Sequence, residues 1–207
     1  MSEYIKLAQG AVAEITEKKS RFIATIVPVS TPEEANLFID EMKKKYWDAK
    51  HNCSAYVCGE NAEITRCSDD REPAKTAGVP MLEVLLGSEI RNIAVVVTRY
   101  FGGVLLGTGG LVRAYQEAVK EALKLCKTTK MVYGADMTIL AEYTDAGRIQ
   151  TILTDFGATV IHTEYMEKVL FTIFVEMKDV ERLTVKITDS TSGKAKLKLT
   201  EKTYREI

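Results

Sequence analysis

The stretch from Asn92 to Cys126 changes period twice within 35 residues, and no other part of the chain restricts the fold as tightly. NIAVVVT (92–98) holds a continuous apolar run over 93–97, is rich in β-branched residues and of strand length, so it reads as a buried strand. It passes directly into RYFGGVLLGTGGLVRAY (99–115), which holds five of the thirteen glycines between two arginines. Leu111, Tyr115, Ala118, Ala122 and Cys126 then recur at helical spacing, giving a helix that starts near Thr108, with Thr108 as its expected N-cap. Strand, glycine loop and helix in that order suit anion binding. Glycine lets the backbone approach a ligand closely, and the first helical amides lack internal acceptors.

The named phosphate motifs fit this loop poorly. Gly102 and Gly107 have Walker spacing, but Thr108 stands where the lysine belongs; Gly107-Thr108-Gly109 begins a dinucleotide pattern that Val112 ends. The arginines say more. With Thr108 as cap, Arg113 falls near the first turn, where a cation opposes the helix dipole, so an anion there would offset that cost. The competing reading is that Glu117, one turn on, pairs with Arg113.

The remaining first half supplies a hairpin over residues 11–29 around Glu17-Lys18-Lys19-Ser20. A helix from Pro32 follows, with Thr31 as N-cap, Glu34 reaching back toward the cap, and an apolar stripe of Ala35, Phe38, Ile39, Met42 and Tyr46. A second hairpin turns at Gly59-Glu60-Asn61, and a short helix over 81–87 closes at Gly87. After Lys127-Thr128-Thr129-Lys130, the expected boundary, the order is strand (131–142), helix (144–156), strand (158–166), strand (168–177), helix (179–189) and strand (194–203). That βαββαβ succession is ferredoxin-like. The sequence therefore predicts an α+β protein of two domains, 1–127 and 131–207.

With 46% apolar residues each half can bury a core. The amino terminus lacks a basic patch followed by an apolar stretch, and the longest apolar run, 93–97, is far below membrane-spanning length, so the expected location is cytoplasmic with no membrane contact. The four cysteines are expected to be reduced thiols. A net charge of −1 exerts little long-range pull on polyanions, so any nucleic-acid contact must come from a local patch.

Three stretches together, WDAKHNCSAY (47–56), SDDREPAKTAGVPML (68–82) and TRYFGGVLLGTGGLVRAY (98–115), resemble the YigZ/IMPACT family, and the second half resembles the carboxy-terminal domain of its bacterial members. The resemblance implies a first domain like domain 2 of ribosomal protein S5, followed by a ferredoxin-like domain similar to one in an elongation factor G. It also implies a link to translation, since eukaryotic relatives compete for a ribosome-associated activator of an initiation-factor kinase. The family's motif residues fall on His51, Asn52, Asp70, Glu72, Pro73, Thr76, Gly78, Arg99, Tyr100, Phe101, Gly102, Gly103, Gly107, Gly109, Gly110 and Arg113. One departure stands out: the family usually reads AspGlyGluPro, and Arg71 occupies that glycine's place here. If the position has positive φ, Arg71 is uncomfortable there.

The expected function is a non-enzymatic binding protein that presents Arg99, Gly102, Gly103, Gly107, Thr108, Gly109, Gly110 and Arg113, with His51 and Lys75, to an anionic partner: RNA, the ribosome or a ribosome-associated protein. No cofactor is expected. His51, Cys53, Cys58 and Cys67 lack zinc-ligand spacing, and residues 53 and 58 fall on opposite strand faces, so no metal is expected either. The alternatives are a small-molecule hydrolase with His51 as base beside Ser68, Asp69 or Asp70, and a pure protein-interaction module. Arg71 and Lys75 either add positive charge beside the glycine loop or pair with Asp69, Asp70 and Glu72. Lys194, Lys196 and Lys198 read as one charged strand face, which discourages sheet-to-sheet aggregation or tracks a phosphate backbone.

Overall fold

The computed structural model describes residues 3–206. The described chain divides into two compact units, which part between Lys130 and Met131.

The first unit is built on a five-stranded antiparallel sheet: β2 (Val12–Glu17), β3 (Ser20–Pro28), β7 (Ile93–Tyr100), β4 (His51–Cys58) and β5 (Ile64–Ser68), in that spatial order. β7 lies at its centre, as its uninterrupted apolar sequence demands. The β2–β3 turn places both Lys18 and Lys19 at positive φ, the geometry of a two-residue type I′ hairpin. One sheet face carries Phe22, Ala24, Ile26, Cys53, Ala55, Val57, Val95 and Val97 against helices α2 (Gly78–Gly87) and α3 (Thr108–Leu125). The opposite face carries Tyr56, Cys58, Ala94 and Val96 against α1 (Pro32–Lys45). Thr31 Oγ1 accepts from Glu34 N at 3.2 Å, as expected, but the Glu34 carboxylate reaches past the cap amide and accepts from Ser30 N, one residue earlier, at 2.6 Å. Two further strands, β1 (Glu3–Gln9) and β6 (Ile90–Arg91), pair in parallel; neither had a signal in the sequence pattern.

α3 begins differently from expectation. Its N-cap is Gly107, at φ 73° and ψ 166°, and Thr108 is the first helical residue with no side-chain capping bond. The left-handed backbone needed to turn out of the loop suits glycine, so the position before Thr108 takes the cap. The polar stretch Lys127–Lys130, expected as a linker, is the opening of a continuous strand, β8 (Lys127–Ala141).

The second unit continues with α4 (Tyr143–Asp155), β9 (Thr159–Tyr165), β10 (Val169–Glu176), a 3₁₀ turn (Met177–Asp179), α5 (Val180–Ser190) and β11 (Lys196–Glu206). Its strands lie in the antiparallel order β11-β8-β10-β9, the ferredoxin-like arrangement. Met137, Ile139, Phe171 and Ile173 pack on Ile149, Leu153, Leu183 and Ile187 of the two helices. Lys196 and Lys198 face away from this core, and Lys194 precedes the strand.

Candidate functional site

The alternation of β7 decides where its arginine goes. Ile93, Val95 and Val97 face the α2/α3 layer, so Arg99 continues the same buried row. Its cross-strand neighbours are Phe22 on β3 and His51 on β4, on the same face. Arg99 is only 6% exposed, and its Nη1 donates to Glu72 Oε1 at 2.7 Å. The guanidinium lies 5.5 Å from the Phe22 ring centre and 5.6 Å from that of Phe101. Glu72 Oε1 also accepts from Tyr115 Oη at 2.9 Å, and Cys53 Sγ lies 3.3 Å from that same phenol oxygen. Burial and the nearby carboxylate push the Tyr115 phenol far up, and burial does the same to the Cys53 thiol, so both stay protonated. The expectation that Arg99 is a solvent-facing anion donor is therefore corrected: it is a buried, paired residue beneath the loop.

His51 belongs to the same cluster. Its Nδ1 lies 3.0 Å from the Asp70 carbonyl, which requires a proton on that nitrogen, and Nε2 faces Glu72 Oε1 at 3.9 Å. Ser68 Oγ accepts from Asp70 N and forms no bond with His51. The acidic loop that delivers Glu72 is held by its own carboxylates. Asp69 accepts from the amides of Lys75, Ala77 and Gly78, and Asp70 accepts from Asn52 N. Asp70, Arg71 and Lys75 all adopt positive φ, Arg71 at 68°, so the residue standing in the family's glycine position does keep a glycine-like backbone. Arg71 is exposed: its Nη2 donates to the Lys50 carbonyl, and its Nε lies 3.9 Å from Asp70 Oδ1. Lys75 is exposed, and it is its amide that bonds Asp69.

The glycine loop lies over this cluster and presents a different set of groups. Gly102 N donates to the buried Ser20 Oγ at 3.1 Å, and a Cβ at Gly102 would stand 2.0 Å from the Lys19 carbonyl carbon. That contact brings the Lys18-Lys19 turn against the loop. Gly103, Gly107, Thr108 and Gly109 are exposed, and Gly110 is partly so. Among the described residues, no acceptor is bonded to the amides of Thr108, Gly109 or Gly110; the first helical bond is Leu111 N to Gly107 O at 2.9 Å. Arg113 is exposed, and among the described residues it forms no ion pair, so the expected Glu117 partner does not engage it. It lines a groove of about 420 Å³ with Lys18, Lys120, Glu17, Glu117 and an apolar floor that includes Ile15 and Leu106. The two arginines bracketing the glycines thus divide, one into the core and one into a surface groove.

Sequence reasoning missed the Glu72–Arg99 pair and the part played by Lys18. The period-2 row 93-95-97-99 carried the signal for Arg99; nothing local tied Lys18 to a loop 80 residues away. Among the described residues no group of metal-ligating side chains comes together, and no helix is long and apolar enough to cross a membrane.

Comparison with known proteins agrees with this layout. Residues 18–123 match the Impact N-terminal domain, and residues 139–194 match a domain of unknown function, DUF1949. The IMPACT family member YvyE of Bacillus subtilis is 42% identical over 206 residues, covering 100% of this chain and 95% of that protein. YigZ of Escherichia coli is 36% identical over 87% of this chain and 89% of its own. Protein IMPACT of Mus musculus is 37% identical over 45% of this chain and 30% of its own. A crystal structure described as that of an hypothetical protein superposes with a TM-score of 0.64 at 34% identity, covering 97% of this chain and 98% of that one. The three motif stretches, the glycine loop and both matched segments give one conclusion: the chain belongs to the IMPACT family.

Proposed function

We propose that this is a cytoplasmic, translation-linked binding protein that holds RNA by its phosphate backbone along the groove beside the first turns of α3. The observation that carries the reading is Arg113, an exposed guanidinium in the second turn of α3 with no ion-pair partner among the described residues, whose Nη1 would stand 3.8 Å from a Cβ on Gly109 and so lies beside the free amides at the helix start. A phosphate seated there satisfies the free amides of Thr108, Gly109 and Gly110 and neutralises Arg113 together. Lys18 and Lys120 line the same groove, so with Arg113 its three cations outnumber the carboxylates of Glu17 and Glu117. Arg99 and His51 contribute by tying β7 and β4 to Tyr115 of α3 through Glu72 rather than by touching the ligand.

The test is equilibrium binding of a fluorescently labelled RNA oligonucleotide to the full chain and to Arg113→Ala and Lys18→Ala. Each change is expected to weaken binding several-fold while leaving the melting temperature in place. Equal affinity in all three proteins, or no binding by the parent, contradicts the reading.

A further inference from the structure

Arg91 stands apart from the other arginines. Its Nε and Nη1 are buried, and neither has a hydrogen-bond partner. Arg99 also keeps one buried nitrogen unbonded, but it has Glu72; among the described residues no carboxylate lies within ion-pairing distance of Arg91. A buried donor without an acceptor costs stability, so it points to an acceptor supplied from outside the chain. The isolation of Arg91 does not come from a loose segment. It sits on β6, paired in parallel with Lys6 of β1, beside Ile90, which is buried in the core. Ile90 N donates to Ser88 Oγ at 3.3 Å. On the other side, Asn92 adopts positive φ, its side chain accepts from Gly59 N at 2.9 Å, and its carbonyl accepts from Val29 N at 3.0 Å.

Arg91 lines a cavity of about 510 Å³, within the size range of small-molecule sites, and the whole wall belongs to the first unit. Two of the charges on that wall cancel, because Lys130 Nζ lies 2.7 Å from Glu3 Oε2. The other two are Arg91 and Glu89, which share the cavity without forming an ion pair with each other. Glu63, outside the wall, feels the Arg91 charge, but its oxygens are engaged by Asn61 Nδ2 at 2.8 Å and Asn61 N at 3.2 Å. Ile5 gives the cavity an apolar side. An unpaired guanidinium, an unpaired carboxylate and an aliphatic wall thus face one space.

We infer that this cavity binds a free amino acid with an apolar side chain, its carboxylate taken by Arg91, its ammonium by Glu89, and its side chain lying against Ile5. A simple anion leaves Glu89 beside a like charge, and a simple amine leaves Arg91 without an acceptor. A zwitterion satisfies both, and it adds no net charge to a wall on which Arg91 and Lys130 balance Glu3 and Glu89. The cavity shares no residue with the groove at Arg113, so the inference stands independently of the RNA reading.

Leucine and its two halves make the test sharp. The full chain is titrated calorimetrically with leucine, phenylalanine and methionine, with isocaproate, which lacks the ammonium of leucine, and with isopentylamine, which lacks its carboxylate. The expected result is saturable binding of at least one of the amino acids and binding of both halves weaker by roughly 10- to 100-fold. Arg91→Met and Glu89→Gln are each expected to lose amino-acid affinity by a similar factor, while Arg113→Ala keeps it. Because Arg91→Met removes an unpaired buried charge, its melting temperature without ligand is expected to equal or exceed that of the parent; the exposed Glu89→Gln carries the test if Arg91→Met does not fold. Binding of none of the three amino acids overturns the inference. So does isocaproate or isopentylamine binding as tightly as leucine, or undiminished affinity in Glu89→Gln.

Discussion

Glu72 Oε1 stands 2.7 Å from Arg99 Nη1, and the two side chains are 2% and 7% exposed. The pair joins a loop to the central strand across 27 residues of sequence, with the Arg99 guanidinium against the ring of Phe101 where the glycine loop begins. A buried ion pair is costly to halve, because the surviving charge is left in an apolar setting. Glu72→Ala and Arg99→Ala are therefore each expected to destabilise the first unit by about 3–5 kcal/mol, and the Glu72→Met/Arg99→Met double change by less than their sum. Urea unfolding of the four proteins checks this. Single changes within about 0.5 kcal/mol of the parent contradict the role assigned to the pair.

The two glycine types in the loop separate in the same experiment. Gly102→Ala places a methyl group into the Lys19–Ser20 backbone and is expected to cost more than about 3 kcal/mol or to prevent folding. Gly109→Ala meets only the tip of Arg113 at 3.8 Å, lies within a helix, and is expected to be neutral or to stabilise by up to about 1 kcal/mol. A Gly109→Ala protein less stable than Gly102→Ala reverses the account of the loop.

Much of this was legible beforehand, for physical reasons that particular residues illustrate. The Thr31–Glu34 cap, the Lys18-Lys19 turn and the βαββαβ order follow from local rules, since the residues that decide them lie within a few positions of one another. The burial of Arg99 follows from its position in an alternating strand rather than from its charge, and its compensating partner comes from a loop with no periodicity. Thr108 lost the cap to Gly107 because the chain needs positive φ there, which a hydroxyl side chain does not favour. Arg113 and Lys75 kept their expected exposure, and the exposure of Trp47 had no signal in the pattern around it.

Arg71 carries backbone strain that a simple change relieves. Its φ of 68° lies in the left-handed region, so Arg71→Gly is expected to raise stability by about 0.5–1 kcal/mol in spite of the greater freedom of glycine in the unfolded chain. Thermal melts of parent and Arg71→Gly read this; loss of stability contradicts the strain argument.

The cysteines are expected to divide by burial. Cys53 and Cys58 are buried and burial pushes both thiols up, whereas Cys67 on the outer strand β5 is exposed. Alkylation of the native protein near pH 8, followed by mass mapping, is expected to modify Cys67 first and Cys53 only on unfolding. Early labelling of Cys53 contradicts the packing of the cluster around Tyr115.

The salt dependence of RNA affinity bears most directly on whether Arg113 and its neighbours hold phosphates. The logarithm of the association constant, plotted against the logarithm of salt concentration, is expected to fall linearly for the parent. The slope for Arg113→Ala is expected to be shallower by about 0.7, the contribution of one phosphate contact on a single strand. A flat parent line, or an Arg113→Ala slope equal to the parent's, contradicts the account.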